Sequence, residues 1–275
     1  VGKSTFLNAM MERKISIVSQ RPQTTRRQIL GVKTTKKGQI VFFDSPGIHV
    51  PHHELNKKMM KHVHHTFSVA NLICYFKSVD ERRKDPFVIG LLKEMKIPVF
   101  LILNKIDRFK KTRALEAIEF YKDDYPFAEI VPVSALRGDN MDYLQNLIYR
   151  YLPRMPNIYP EDTHTLQSEK YYLSEIIREK LLLQVRDELP FTSHVYITEL
   201  ESRDRLRYIK AAVAVEKRSQ KKIVIGRQGQ MLKKIGTLAR RDLEEYFGQK
   251  VFLELVVKVI PNWRDSHVIL KDLIN

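Results

Sequence analysis

The chain has 275 residues, 43% of them apolar, and 48 lysines and arginines against 32 aspartates and glutamates, for a formal charge of +16. That apolar share excludes a disordered chain, and the length fits about two domains of roughly 100–200 residues. No apolar run approaches the roughly 20 residues that span a bilayer, and the charge calls for a polyanionic partner, either nucleic acid or an anionic membrane surface.

The first half alternates strand and helix. Val41-Phe42-Phe43, Leu72 to Phe76, Val99 to Leu103 and Ile130 to Val133 are short apolar runs separated by helical stretches. Such runs predict an α/β domain, with a parallel sheet covered by helices on both faces and ligands bound beyond the carboxyl ends of the strands. Cys74, the lone cysteine, lies inside the second run. It reads as a buried strand thiol in a reducing compartment.

Polar motifs punctuate this pattern in chain order. Val1-Gly2-Lys3-Ser4-Thr5 is the second half of a phosphate-binding loop, G-x-x-x-x-G-K-[ST]. Its glycine lets backbone N–H groups wrap phosphates at a helix N-terminus. Lys3 is expected on the β- and γ-phosphates and Ser4 on Mg²⁺. Pro22-Gln23-Thr24-Thr25-Arg26 supplies a threonine that can ligate Mg²⁺ and sense the γ-phosphate; both Thr24 and Thr25 qualify, with Thr25 preferred. Asp44-Ser45-Pro46-Gly47-Ile48 follows a strand. Asp44 is suited to Mg²⁺ through water, and the Gly47 N–H to the γ-phosphate.

Asn104-Lys105-Ile106-Asp107 decides the base. The Asp107 carboxylate can accept from N1–H and the 2-amino group of guanine, which adenine lacks, and a wrong base leaves buried polar groups unpaired. Asn104 braces the loop, the Lys105 stem covers the base, and a backbone N–H of Ser134-Ala135-Leu136 can meet the guanine O6. Taken alone, each motif is weak. Together, at strand ends and in this order, they specify GTP.

Three prolines between Leu152 and Pro160 read as a stiff linker. The predicted boundaries are 1–152 for the nucleotide domain, 153–172 for the linker and 173–275 for the second domain. Beyond the linker come a helix from Leu173 to Leu189 stopped by Pro190, strands His194–Leu200 and Leu206–Val215, a helix from about Met231 to Phe247, and a strand Val251–Ile260. Gly226-Arg227-Gln228-Gly229 sits between Ile225 and the last helix. Arg203 to Arg241 holds 13 basic and two acidic residues. A Gly-x-x-Gly loop in such a setting is the clamp of a KH domain for single-stranded nucleic acid backbone, with Arg227, Gln228, Lys233, Lys234 and Arg240 as its flanking contacts.

The nucleotide motifs with Gln23-Thr24-Thr25-Arg26 resemble the Era family of GTPases. Tyr159-Pro160-Glu161-Asp162, Glu175 to Lys180, Glu188-Leu189-Pro190, Leu232 to Gly236 and Pro261-Asn262-Trp263-Arg264 are similar to the joining and RNA-binding stretches of that family. The resemblance implies a GTPase domain followed by an α+β, type II KH domain. It further implies GTP and GDP as ligands with Mg²⁺ and K⁺, and a slow intrinsic hydrolysis. It also implies binding to the 3′ end of 16S rRNA and a role in maturing the 30S subunit. A monomer in the cytoplasm is expected, with peripheral contact at the inner face of the cell membrane, for which no amphipathic lipid-binding helix stands out.

The pattern departs from the family at several points. The first phosphate-loop glycine and the asparagine that supports potassium are absent before Val1, so a polypeptide starting there should bind GTP poorly. Ile48 stands where Ras-like GTPases carry a water-orienting glutamine, and no catalytic base is assigned. Arg227-Gln228 replaces the more usual Lys-Gly, and Leu270 to Asn275 lacks a Gly-Tyr-like ending. His62 and His65 share a helix face suited to a metal, or belong to a solvated switch segment. Trp263 either stacks a base or packs on the KH sheet. The 27 basic and 15 acidic residues up to Asn157 suggest that the first half also lies against ribosomal RNA. The rival reading is a nucleotide-independent RNA-binding protein on a degenerate GTPase fold.

Overall fold

The computed structural model describes residues 1–19, 21, 24–48, 53–203, 205–266 and 270. Pro22, Gln23, His49, His52 and the terminal 271–275 stretch lie outside them. The chain divides into two units. The first comprises Val1–Ser16, Gln28–Ile48 and Met60–Leu166, and the second Ile17–Arg27, His49–Met59 and Gln167–Asn275.

In the first unit, α1 (Lys3–Met11) starts at Gly2, whose φ of 93° is a left-handed conformation that favours glycine. β1 (Ile29–Thr35) and β2 (Gly38–Asp44) form an antiparallel ribbon closed by Lys36-Lys37, with Thr35 opposite Gly38. Alternation in Lys33-Thr34-Thr35 is too polar to mark β1 as a core strand, so the apolar-run criterion passes over it. α2 (Glu54–Val69) leads to β3 (Ile73–Ser78), α3 (Pro86–Lys93), β4 (Val99–Asn104), α4 (Lys111–Tyr121), β5 (Glu129–Pro132) and α5 (Met141–Tyr151). β3, β4 and β5 pair in parallel, and all six residues of β4 are buried, as a central strand covered on both faces requires. Their core joins Phe6 and Met10 of α1 to Phe76, Phe100, Ile102, Leu144 and Leu147. A cleft of about 1050 Å³ is lined by Ile40 and Phe42 of β2 and by Cys74 and Phe76 of β3, with Lys3 and Gly47 also in its wall. Burial raises the Cys74 thiol to about 12.

Lys77 lies inside β3 and is 2% exposed. Its ammonium donates to Glu81 Oε1 at 2.7 Å and to the Arg83 carbonyl at 2.9 Å, between the rings of Tyr75 and Tyr121. A buried charge is tolerable with that many partners. The proline-rich stretch is anchored in this unit: Gln39 Oε1 accepts from the N–H of Ile158 and Tyr159, and Val32 N–H donates to the His164 carbonyl.

In the second unit, α6 (Glu169–Gln184) ends before Val185. Pro190 does not stop a long helix but occupies the first turn of the short α7 (Leu189–Thr192), where its missing N–H costs nothing. β6 (His194–Arg203) and β7 (Leu206–Val215) form a hairpin, and β8 (Lys250–Val259) adds to β7 in parallel. Ile223-Val224-Ile225 belongs to α8 (Arg218–Ile225), a helix hidden in the sequence by its lysines and consecutive β-branched residues. Gln220 Oε1 caps that helix by accepting from the N–H of Glu216 and Lys217. α9 (Gln230–Phe247) completes the unit. The order α6-α7-β6-β7-α8-α9-β8 buries Leu173, Ile177, Val195, Ile209, Val213, Ile235, Leu243 and Val257 in one core.

Candidate nucleotide and nucleic-acid sites

The strand ends of the first unit converge through one side chain. Asn104, the last residue of β4, is 3% exposed. Its Nδ2 donates to the Val1 carbonyl at 3.0 Å, and its Oδ1 accepts from the N–H of Lys105 at 2.8 Å and of Ala135 at 3.0 Å. Three loops are thereby tied together. Lys105 adopts a left-handed φ of 69°, which turns the chain into a short 3₁₀ turn, Ile106–Arg108. Asp107 Oδ1 accepts from Ser134 Oγ at 2.6 Å, and the same hydroxyl accepts from the Arg137 N–H at 3.0 Å. Ser134 thus fixes both the carboxylate and its own loop, while Leu136 is 76% exposed at the rim.

At the other end, Ser4 Oγ donates to Asp44 Oδ2 at 2.9 Å. Ser16 Oγ reaches the same oxygen at 3.2 Å. Ser16 escapes sequence reasoning because a single small hydroxyl between Ile15 and Ile17 resembles any strand residue; its place is set by Asn8, whose side chain bonds both its N–H and its carbonyl. A hydroxyl and a carboxylate meeting this closely suit a hard cation that keeps most of its waters, as Mg²⁺ does. The Lys3 ammonium lies 4.0 Å from where a Cβ on Gly47 would stand, and Thr5, Ser45, Pro46 and Ile48 follow their neighbours along the same two segments.

Thr24 and Thr25 fall in the second unit, so the sequence-derived cation set of Ser4, Thr25 and Asp44 is divided between units. Thr24 Oγ1 donates to the Arg21 carbonyl, and its own carbonyl accepts from Arg178 Nη2. Arg26 is buried beside them. Its guanidinium donates to the carbonyls of Ser193 at 2.7 Å, Pro190 at 2.8 Å and Phe191 at 3.1 Å, and lies 5.6 Å from the Trp263 ring centroid. Burial, then the Arg178 charge, lowers it to about 9. Trp263 is fully buried and donates to the Thr192 carbonyl at 2.8 Å, so it packs in the core and offers no face to a base. Among the described residues no group of three histidine, cysteine or acidic side chains is placed to hold a metal, His62 and His65 of α2 included.

The Gly-x-x-Gly loop is a backbone feature. Gly226 has φ 74°, and a Cβ there would stand 2.6 Å from Met231 Cβ. Gln228 and Gly229 have φ of 51° and 77°, and Gly229 is the N-cap of α9. Arg227, Gln228, Lys233, Lys234 and Arg240 are exposed. Lys233, Lys234 and Arg241 line a shallow groove of about 330 Å³ with Gln230, Thr237 and Leu238, a set that includes Arg241 and leaves out Arg240. α8 adds exposed Arg218 and Lys222, cations that only knowledge of that helix would have placed beside the loop.

Family models place this geometry. One described as a 50S ribosome-binding GTPase matches residues 1–105, and one described as a KH domain matches residues 190–264. The chain is 43% identical over 99% of its length to GTPase Era of Clostridium botulinum strain Langeland, covering 93% of that protein, and equally so to the Era of strain Hall. Among solved structures it is similar to Era in complex with MgGDPNP and nucleotides 1506–1542 of 16S ribosomal RNA, at 36% identity and a TM-score of 0.94, covering all of this chain and 94% of that one. A variant of Aquifex aeolicus Era bound to GDP and AlF₄⁻ matches at 35% identity and a TM-score of 0.93, with the same coverage. With a guanine-type loop constellation in one unit and a glycine-clamped basic helix in the other, matched over nearly its whole length by these relatives, the chain belongs to the Era family of GTPases.

Proposed function

We propose that this chain binds GTP, hydrolyses it slowly, and uses the KH unit to hold the 3′ end of 16S rRNA during 30S subunit maturation. The observation that carries the reading is the Asn104 hub. It holds the Val1 carbonyl, the Lys105 loop and the Ala135 loop together, and Ser134 aims the Asp107 carboxylate where a guanine edge would pair. Val1, Gly2, Lys3, Ser4 and Thr5 face the phosphates, with Asp44 to Ile48 opposite and Asn104 to Asp107 and Ser134 to Leu136 around the base. Backbone N–H groups at the start of α1 receive negative charge. Mg²⁺ held by Ser4 and, through water, by Asp44 would neutralise charge on the phosphate oxygens. Thr25 is the third ligand proposed from the sequence. Arg227, Gln228, Lys233 and Lys234 take the RNA backbone beside the glycines.

Relatives with MgGDPNP, GDP–AlF₄⁻ and a 16S rRNA fragment support this reading. No described helix is long and apolar enough to cross a membrane. Potassium, a monomeric state and peripheral membrane contact rest on the family resemblance. The surplus cations of the first unit extend the same reading: exposed lysines there would lie against rRNA, and replacing several should flatten the salt dependence of particle binding.

The test is GTP hydrolysis by the full-length protein, with and without 30S subunits or a 3′-end rRNA oligonucleotide. Faster turnover with RNA is expected. A failure of the intact protein to bind nucleotide would leave only the RNA-binding role.

A further inference from the structure

The tip of the β6–β7 hairpin carries a set of side chains that the Gly-x-x-Gly site does not use. Tyr208 of β7 and Phe252 of β8 are register partners, and their rings stack at 5.7 Å with 12° between planes. The Arg203 guanidinium lies 4.7 Å from the Tyr208 centroid. Two members of this row are held by acidic partners. Glu201 Oε2 accepts two bonds from Arg203, at 2.7 and 3.1 Å, and Tyr208 Oη donates to Glu254 at 2.8 Å. Phe252 is nonetheless 53% exposed. Lys250, two residues before Phe252 on β8, is exposed, as is Arg205, which adjoins Leu206, the register partner of Lys250; Arg207 covers Phe247 at 5.0 Å.

A cross-strand aromatic pair stabilises a sheet, but that role requires neither an exposed ring nor cations gathered round it. An apolar protein surface docking here would strip water from Arg205 and Lys250 with no partner to offer them. A nucleobase suits both features, since its flat face stacks on an aromatic ring while its phosphate meets the cations. The position is distinct from the glycine clamp. Gly229 caps one end of α9 and Phe247 closes the other, about 27 Å away at ~1.5 Å per residue. A Gly-x-x-Gly clamp takes about four nucleotides and does not extend so far.

We propose that Arg203, Tyr208 and Phe252, with Arg205 and Lys250, form a second RNA contact that stacks a base outside the segment gripped by the Gly-x-x-Gly loop. This rests on the RNA-binding reading above. The probes are a single-stranded RNA of about six nucleotides, enough for the clamp alone, and a fragment equivalent to nucleotides 1506–1542 of 16S rRNA. Phe252→Ala should weaken binding of the long fragment about fivefold or more, the loss expected for one stacked base, and leave the short RNA unchanged. Phe252→Trp should restore it, and Arg205→Ala should weaken the long fragment independently of any packing. Photocrosslinking of a 5-bromouridine-substituted long fragment should label the peptide containing Phe252 or Tyr208. GTP hydrolysis of the variants should match the parent, and Arg205→Ala should also keep the parent's thermal stability, whereas Phe252→Ala loses the ring stacked on Tyr208 and is read against Phe252→Trp. If the parent binds both RNAs and the variants bind the long fragment equally well with no such crosslink, the second contact does not exist. If the parent binds neither RNA, the RNA-binding reading has failed and takes this inference with it.

Discussion

Gly2 and Asn104 approach so closely that a Cβ on the glycine would stand 2.6 Å from Asn104 Nδ2. The glycine is also left-handed, which costs another residue about 1–2 kcal/mol before any clash. Gly2→Ala must therefore either push Asn104 away or unwind the start of α1. The first frees the Lys105 and Ala135 amides that Asn104 holds, and the second disturbs the amides at the start of α1. At least a tenfold loss of GTP affinity is expected by calorimetric titration; unchanged affinity would show that Asn104 does not act as the common anchor.

Asp107 and Ser134 should separate in their effects. Asp107→Asn exchanges an acceptor for a donor at the guanine edge and is expected to lower GTP affinity by two orders of magnitude or more, as loss of a buried polar match does. Ser134→Ala removes only the hydroxyl that positions the carboxylate, a bond worth about 1.5–3 kcal/mol because it is charge-assisted. A smaller loss, with preference for GTP over ATP retained, is the outcome to look for in competition binding.

His194 makes the second unit acid-sensitive. The ring is stacked on Trp263 at 5.4 Å, and its Nδ1 has no hydrogen-bond partner among the described residues. Burial, with the Arg26 and Arg178 charges nearby, lowers it to about 3 from 6.5. Between those values the unfolded chain binds the proton and the folded one does not, so stability falls as pH falls from about 6.5 towards 3. The loss is on the order of 2 kcal/mol between pH 7.5 and pH 5. His194→Phe should flatten this slope in urea melts, and an unaltered slope would place the acid sensitivity elsewhere.

Arg26→Met should cost about 2–4 kcal/mol, because the carbonyls of Ser193, Pro190 and Phe191 lose their shared donor in a buried site. Arg26→Lys should recover little, since a single ammonium cannot reproduce the planar fork. Denaturant midpoints measure both. A lysine variant as stable as the parent would mean that charge alone, not the fork, holds the segment.

Lys233 and Lys234 should act through phosphates alone. Replacing both with alanine is expected to reduce the slope of log affinity against log salt by about 1.4 on single-stranded RNA, roughly 0.7 per lost phosphate contact. The loss should be similar for RNAs of different sequence.

The parts legible from the sequence were those where backbone geometry and residue type coincide. Gly2-Lys3-Ser4, Asn104 to Asp107 and Gly226 to Gly229 each combine a particular residue type with a left-handed backbone torsion, so they stand out. Elements whose pattern conflicts with their environment did not. Lys77 is a charged residue in the middle of a buried strand, and its partners at Glu81 and Arg83 come from the loop beyond. The α8 helix carries Ile223-Val224-Ile225, a strand-like triplet. Trp263 is as able to stack a base as to pack on residue type alone, and its complete burial, with its bond to Thr192, decides between them. Nor does any local signal show that the Thr24–Arg26 segment belongs with residues near Pro190.

That last pairing carries a cost in time. Arg26 and Ser193 are 167 residues apart. At ~5–20 residues per second, the segment waits roughly ten to thirty seconds after leaving the ribosome before its acceptors exist. Until then a basic stretch hangs between the helix that follows the phosphate loop and the first strand. The first unit has all its residues once Leu166 has emerged, but the second is finished only when the later half of the chain returns to collect a piece of the earlier one.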